Sequence, residues 1–287
     1  MREHARFLRL ALTAVTLFAR AALAQGGPPF LSDDPDTPGN HHWEINLGFL
    51  GERNPVEGAY EVPNIDINFG LGSTVQLKFE LPLAVAETRS PLGHVNAGLG
   101  NSLLGVKYRF YAHHTKRERL QPRGERESIF ALSVYPQLAL NNPTSSVTRE
   151  IVDPGPELLL PMEAKAILGP IRISGEVGYR LTKGDVPNSW IGGVVVGHEF
   201  KKDTELYLEL YNQHEVSGKP QVTDTSAGLG GRLPIVASGA FRLIGMGGYD
   251  VASSPGRRSG WIAYVGIQFL SDKRRRHSSD VDDTDLP

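Results

Sequence analysis

The chain has 287 residues, of which 30 are Lys or Arg and 32 are Asp or Glu, so its formal net charge is −2. This balance lacks the basic excess of a nucleic-acid-binding protein, and we expect no nucleic acid as a partner. The absence of cysteine excludes disulfides and thiolate metal sites, while 32 glycines and 20 prolines disfavour a helical protein.

Residues 1–24 predict a secretory signal peptide. A basic stretch over residues 1–9 precedes an apolar stretch over residues 10–18, and small residues suit cleavage after Ala24. The alternative is a retained transmembrane anchor, but the apolar stretch is too short to span a bilayer and Arg20 interrupts it. We therefore expect an exported chain.

Residues 25–41 precede the first predicted strand and contain Asp33, Asp34 and Asp36, close to the histidine pair 41–42. Carboxylates and imidazoles are common ligands of zinc or calcium. However, the prolines between the aspartates extend the chain and spread these side chains apart. We predict no metal site here, and we interpret the segment as a periplasmic segment or a plug that enters the lumen.

The region from 42 to 270 alternates apolar and polar residues with the two-residue period of β-strands. In the first segment Trp43, Ile45 and Leu47 alternate with Glu44 and Asn46. The alternating segments are 43–49, 65–70, 75–81, 104–110, 130–138, 158–166, 171–180, 190–200, 206–211, 225–233, 241–249 and 260–270. The region predicts an all-β fold, a transmembrane antiparallel β-barrel of about twelve strands.

Alternation alone does not distinguish such a barrel from a soluble β-sandwich, whose apolar face would be buried. The connector lengths favour the barrel, because short periplasmic turns and long external loops are typical of it. The short connectors are 70–73, 169–170, 201–204 and 234–238, and the longer ones include 51–60, 87–97, 141–155, 214–223 and 250–259. The charged connector 111–127 breaks this rule. Either the turn side carries one large loop, which we favour, or the strand count is wrong near this connector.

Several segments resemble the outer-membrane family labelled MetA-pathway of phenol degradation, namely 29–38, 42–46, 60–63, 72–78 and 100–110. The resemblance extends over the mature chain to about Leu270 and is strongest in its first third. It implies an outer-membrane barrel with a transport role, no assigned catalytic residues and aromatic compounds as solutes. This chain departs from the pattern by carrying a charged tail after its last strand.

The predicted function rests on the face that alternation turns toward the lumen. Charges of both signs there either line a partly constricted pore, which small solutes cross without chemical change, or pair with one another in a closed structural barrel. We favour the passive channel and keep the closed barrel as the alternative. The candidate pore-lining residues are Glu44, Asp66, Lys78, Glu80, Lys107, Arg109, Glu163, Lys165, Arg172, Glu176, Arg180, Glu205, Glu209, Arg232 and Arg242.

An outer-membrane lipid-modifying enzyme is a further alternative. The chain has no Gly-x-Ser-x-Gly elbow, and its histidines lie mostly in predicted connectors. His198 is expected on the outward face without a positioned serine. We therefore predict no enzyme activity, no catalytic residue, no metal and no cofactor. The expected partners are outer-membrane lipids, a small-molecule solute and, during biogenesis, the barrel-assembly machinery.

The last predicted strand favours a location in the outer membrane. Trp261, Val265 and Phe269 share one face of the last predicted strand, and an aromatic residue near the end of such a strand is typical of the signal that the assembly machinery reads. Residues 271–287 form a charged tail with too few apolar residues to fold, and we expect it to be disordered. The sequence thus predicts a protein of the bacterial outer membrane.

Overall fold

The computed structural model describes residues 27–89, 93–114, 128–183, 186–201, 203–216, 221–236, 238–254 and 259–271. The expected signal peptide, the charged tail from residue 272 onward and most of the 111–127 connector lie outside the described residues. Within these ranges no helix combines the length and the apolar composition that a membrane span requires.

The described residues form fourteen strands in one sheet, and each predicted alternating segment coincides with strand, except that 130–138 is interrupted at residues 135–136 and the last segment begins at 261 rather than 260. The strands are β1 Trp43–Arg53, β2 Glu57–Leu71, β3 Val75–Thr88, β4 His94–Leu99, β5 Ser102–His113, β6 Phe130–Val134, β7 Gln137–Leu140, β8 Glu157–Leu168, β9 Ile171–Thr182, β10 Ser189–Lys201, β11 Thr204–Glu215, β12 Thr223–Pro234, β13 Phe241–Ser253 and β14 Trp261–Leu270.

The sheet closes on itself, because β1 pairs with β14 as well as with β2. Strands β4 and β5 pair with successive halves of β3, so together they form one interrupted strand of the barrel. Strands β6 and β7 form a second interrupted strand between β5 and β8. The described residues therefore form a closed antiparallel barrel of twelve strands, which confirms the predicted fold.

Proline accounts for the interruption between β6 and β7. Pro136 separates β6 from β7, since proline has no N–H to donate to the ladder. Hydrogen bonds still cross this position, from Val106 N to the Pro136 carbonyl at 3.0 Å and from Tyr135 N to the Pro161 carbonyl at 3.1 Å. The wall of the barrel therefore remains hydrogen-bonded where regular pairing stops.

The connectors differ from the prediction. The expected loop at 51–60 is reduced to residues 54–56, because β1 extends to Arg53 and β2 begins at Glu57. The loops expected at 87–97, 214–223 and 250–259 are likewise shortened by longer strands, whereas β7 ends and β8 begins close to the predicted bounds of 141–155. Backbone pairing continues through polar residues beyond the alternating segments, so the difference between the two ends is smaller than predicted.

The outward face of the barrel is apolar and exposed. Leu47, Met162 and Leu208 are 51 %, 52 % and 61 % exposed, and their neighbours two residues away along each strand point outward as well. In a soluble sandwich a second sheet would cover such a face. A closed barrel leaves these side chains outside, as contact with hydrocarbon requires.

Candidate functional site

The candidate pore-lining residues all lie on the inward face of the barrel. The strand pairing places them on a common face, for example by setting Asp66 opposite Glu80 and Glu205 opposite Arg232. The buried ones are Asp66, Lys78, Glu80, Lys107, Arg109, Glu163, Lys165, Glu176, Arg180 and Glu209, and the half-buried ones are Glu44, Arg172, Glu205, Arg232 and Arg242. Their role as the lining of a solute path stays a prediction.

The segment before β1 contacts this inward face, and we call residues 27–42 the strap. The backbone amides of Leu31 and Ser32 donate hydrogen bonds to the Glu209 carboxylate at 3.1 and 2.8 Å, and the Ser32 hydroxyl donates to it at 2.6 Å. Gly193 leaves room for this contact, since a Cβ there would lie 2.0 Å from the Ser32 Oγ. The strap is thereby fixed to β10 and β11.

Lys107 binds the acidic part of the strap. Its ammonium lies 2.9 Å from the Asp33 carboxylate and donates a hydrogen bond to the Asp34 backbone carbonyl. It also lies 3.4 Å from Glu163 and 4.5 Å from the centre of the Tyr135 ring. Lys107 is only 1 % exposed, so these partners must offset the hydration that the cation has lost.

Asp36 lies among three cations from three strands: Arg109 of β5, Lys165 of β8 and Arg172 of β9. We call these cations the three-cation site, and their nitrogens lie 3.5, 2.5 and 3.3 Å from the Asp36 carboxylate. Burial alone would raise the pKa of Asp36, but the charges of Lys165, Arg172 and Arg109 outweigh it and hold that pKa well below its usual range. Asp36 therefore stays ionised.

The strap is also tied to the turn between β2 and β3. The Asn40 side-chain oxygen accepts a hydrogen bond from Gly72 N at 2.9 Å, and His41 N donates to the Gly70 carbonyl at 2.9 Å. A Cβ at Gly70 would lie 1.8 Å from the Gly39 carbonyl oxygen, so this close approach of two backbones requires glycine. The strap therefore leaves the lumen at a fixed point.

An apolar cluster receives the other end of the strap. Phe30 packs edge-on against Tyr207, with 5.0 Å between the ring centres, and is 6 % exposed. The sequence predicted a charged lumen, and this part of it corrects that expectation. The wall is apolar here because inward positions carry apolar residues: Leu50 follows the inward parity of Asn46 in β1 and lies opposite Tyr264 of β14. The remaining members of the cluster are Val195, Ile244, Met246, Ile262 and Tyr264.

The charges on β2 and β3 form a network of their own. The Lys78 ammonium lies 3.0 Å from Glu80 and 3.6 Å from Asp66. Two amides complete the network, since Asn46 donates to Asp66 at 3.0 Å and Asn64 donates to Glu80 at 2.8 Å. These groups are all buried, and one ammonium together with two amides serves the two carboxylates on this side of the barrel.

Of the remaining candidate charges, Glu205, Arg172, Arg232, Arg180 and Arg242 form ion pairs, whereas Glu44 and Glu176 accept hydrogen bonds. Glu205 lies between Arg172 and Arg232, at 3.6 and 3.9 Å. Arg180 lies 3.2 Å from Glu157, and Arg242 lies 2.5 Å from Asp203. Glu44 accepts a hydrogen bond from Gln268 at 3.1 Å, and Glu176 accepts one from Asp33 N at 3.4 Å. Opposite charges thus face each other across neighbouring strands of the lumen.

A cavity of about 110 Å³ adjoins the strap. Asp36, Arg172 and Arg232 line its charged side, while Val195 and Tyr207 line its apolar side. Asp33, Asp34, Glu44 and Asp66 line it as well, so the cavity offers charged surface of both signs and apolar surface to a small molecule inside the barrel.

The sequence raised two other kinds of site, a metal site at the strap aspartates and a catalytic site at His198, and the structure shows what these residues contact. The carboxylates of Asp33 and Asp36 contact different cations, and the described residues contain no group of three or more His, Asp or Glu arranged to hold a metal ion. His198 pairs with Leu206 on the outward face, as predicted, and its ring packs against Phe200. The strap aspartates are thus used for ion pairing.

Sequence reasoning missed several residues of this site. Asn46 and Gln76 alternate with apolar neighbours, and that signal placed them inward, but only charged residues entered the predicted set. Phe30 and Ser32 carry no such signal. Ser32 meets Glu209 across 177 residues of sequence, and no local pattern encodes a contact of that kind.

The comparisons with known proteins concern the fold. No protein-family model matches the chain, and no curated protein sequence matches it. Among solved structures, an outer-membrane channel from Pseudomonas putida F1 is similar, with a TM-score of 0.62 at 11 % identity over 83 % of this chain and 98 % of that one. The translocator domain of the autotransporter NalP from Neisseria meningitidis has a TM-score of 0.54 at 11 % identity, covering 93 % and 96 % of the two chains.

The KdgM porin is similar as well, with a TM-score of 0.50 at 10 % identity over 78 % of this chain and 98 % of the porin. At these identities the likeness shows the fold, which is that of outer-membrane β-barrels such as channels and porins. The closed barrel and its apolar outward face agree with that fold and with the predicted location in the bacterial outer membrane. The resemblance to the phenol-degradation family stays a prediction.

Proposed function

We propose that this outer-membrane barrel is a passive channel for small solutes, and that the strap narrows its lumen as a plug. The observation that carries the proposal is the position of the strap. Its residues contact inward-facing side chains of β5, β8, β9 and β11, among them Lys107, Lys165, Arg172 and Glu209. A solute path through the barrel would have to pass this segment.

The fixation of the strap supports a plug that can move. Its contacts inside the lumen are side-chain ion pairs, hydrogen bonds and one aromatic contact, rather than an additional strand of the sheet. Contacts of this kind are worth about 1–3 kcal/mol each and exchange more readily than a β-ladder. The barrel wall would keep its pairing when the strap leaves.

The lining of the cavity bears on the solute class. Val195 and Tyr207 would suit an apolar or aromatic portion of a solute, which agrees with the predicted family resemblance, and Arg172 and Arg232 would suit a polar portion. We propose a non-enzymatic role, because crossing such a lumen requires no chemical step. The outward face would contact outer-membrane lipids, residues 1–24 would direct export, and the last strand would be read by the barrel-assembly machinery.

The test is planar-bilayer recording of the refolded protein beside two glycine variants. Gly193→Val places side-chain atoms where Ser32 lies and should displace the strap. Gly192→Val is the matched control, since Gly192 faces outward opposite Val177 and a Cβ there lies 3.8 Å from its nearest neighbour. Heat-modifiable migration on gels verifies that each variant is folded.

We expect discrete conductance steps from the wild-type protein, clearly larger steps from Gly193→Val and wild-type steps from Gly192→Val. Folded protein that gives no steps in any of the three forms would favour the closed structural barrel. Equal steps in all three forms would retain the channel but reject the strap as its plug.

A further inference from the structure

The three-cation site holds more positive charge than the barrel wall itself compensates. Asp36 is the acidic partner of Lys165 and of Arg109 among the described residues, and it belongs to the strap. Arg172 also has Glu205, which it shares with Arg232. When the strap is withdrawn, Lys165 and Arg109 are left in the lumen without a carboxylate.

We infer that the three-cation site is an anion-binding site for the carboxylate or phosphate group of an acidic solute, and that Asp36 occupies it as an anion attached to the chain. This inference rests on the proposed function, since it names a class of solute for the same lumen. The docked strap and the solute then compete for the same three side chains.

The geometry of the site supports an anion rather than a cation or a neutral solute. Two guanidinium groups and one ammonium from three strands converge on one carboxylate, and such groups bind carboxylates and phosphates through charge-assisted hydrogen bonds. Lys165 is 1 % exposed, so its charge is poorly hydrated and depends on an anion. The barrel positions all three cations through strand pairing, so the site persists without the strap.

The cavity provides access to this site. Asp36 and Arg172 both line it, so the carboxylate now bound by the cations faces open space inside the barrel. An acidic solute that enters the cavity meets Arg172 of the three-cation site beside Asp36. Its acidic group replaces Asp36 without any change in the barrel wall.

Calorimetric titration in detergent tests the inference independently of transport. The probes are sodium phosphate and sodium succinate, with mannitol as an uncharged control. The proteins are the wild type, Asp36→Asn, the double variant Asp36→Asn/Lys165→Gln, and Asp34→Asn. The last removes one negative charge from the same strap but leaves Asp36 on the three cations, because the Asp34 side-chain oxygen accepts a hydrogen bond from the Asp36 backbone amide and an asparagine oxygen can accept the same bond.

We expect Asp36→Asn to bind at least one of the two anions about tenfold or more tightly than the wild type, since the competing carboxylate is gone. The double variant should lose this gain, and Asp34→Asn should bind like the wild type. The preferred anion then identifies the acidic group as carboxylate or phosphate.

Unchanged anion affinity in Asp36→Asn, or an equal gain in Asp34→Asn, overturns the inference. As a second measurement, the preferred anion should accelerate amide hydrogen exchange in residues 30–37 of the wild type, and no acceleration argues against competition. Anion binding without any conductance would keep this site while rejecting the proposed channel, so the two failures are distinguishable.

Discussion

The lumen has two walls of different chemistry. The charged wall consists of inward side chains on β2, β3, β5, β8 and β9, where Lys78, Lys107 and Lys165 are neutralised by carboxylates. The apolar wall consists of inward side chains on β1, β10, β11, β13 and β14 that surround Phe30. The strap touches both, so one segment is held by ionic contacts at Asp33 and Asp36 and by packing at Phe30.

The difference follows from the amino acids on the two walls. A buried charge loses its hydration and needs an opposite charge nearby to offset that loss. The cations of the charged wall therefore require the strap aspartates as partners. On the apolar side, glycine in β12 allows the strap to approach the backbone: a Cβ at Gly230 would lie 3.0 Å from the Phe30 ring. Ionic contacts weaken in salt whereas apolar burial does not, and this distinction makes the comparison testable.

The largest effect is expected from Phe30→Ala, because it removes a buried ring from the apolar wall. We expect the free energy of opening the strap to fall by about 3 kcal/mol, and by about 1 kcal/mol for Phe30→Leu. Amide hydrogen exchange at Leu31 and Ser32, read by mass spectrometry in detergent, measures it. If Phe30→Ala lowers the free energy of opening the strap by less than Asp36→Asn does, the contacts with the charged wall contribute more to holding the strap than the apolar packing.

The next effect is expected from Asp36→Asn, which removes the anion from the three-cation site. We expect a loss of about 2 kcal/mol, less than for a fully buried pair because the Asp36 side chain is 37 % exposed. The same exchange experiment in 1 M NaCl should shrink this loss while leaving that of Phe30→Ala unchanged. Equal salt dependence of both variants would contradict the distinction between the walls.

A smaller effect is expected from Ser32→Ala. The Glu209 carboxylate loses one of its three hydrogen bonds from the strap and keeps the two from backbone amides, so we expect a loss of about 1 kcal/mol. Ser226→Ala is the matched control, since the Ser226 hydroxyl bonds Asp250 in β13 and does not contact the strap. Strap opening in that control should equal the wild type.

The smallest effect is expected from moderate acid. Because the docked pKa of Asp36 is lowered, its contribution is fully present above the pKa of a free aspartate, about 3.9, and is lost only as the pH falls through the docked value. The ratio of exchange rates between wild type and Asp36→Asn should therefore be the same at pH 7 and pH 5. A ratio that approaches one by pH 5 would show that Asp36 is not held by cations.

The fold was predictable because successive residues of a membrane strand face lipid and lumen in turn, so apolar and polar residues alternate along the sequence. The alternation in Glu205 to Tyr211 or in 261–269 is sufficient to place each side chain. The interruptions at Gly100 and Pro136 were not predicted, since backbone hydrogen bonds bridge them while the alternation continues on either side. Strand ends were also missed, because pairing in polar segments such as Glu52 with Ala59 leaves no apolar signal.

Only the part of the site that the barrel strands supply was predictable from the sequence. Charged residues at inward positions are visible in the sequence, and all candidates lie inward in the structure. The sequence places a segment before the barrel at residues 25–41, but the partners of this segment were not predictable, since Asp36 and Lys165 are 129 residues apart. The apolar wall was missed because apolar residues there occupy successive positions, as in Val194 to Val196, so the alternation does not mark which of them face inward.

The short connection between Asp36 and the first strand sets a concentration scale. Only six residues separate Asp36 from Trp43, and the chain is pinned on the way at Asn40. A group tethered so closely acts at an effective concentration on the order of millimolar. An external acid must reach a comparable concentration before it occupies the three cations half of the time. The site would therefore respond to millimolar rather than micromolar concentrations of an acidic solute.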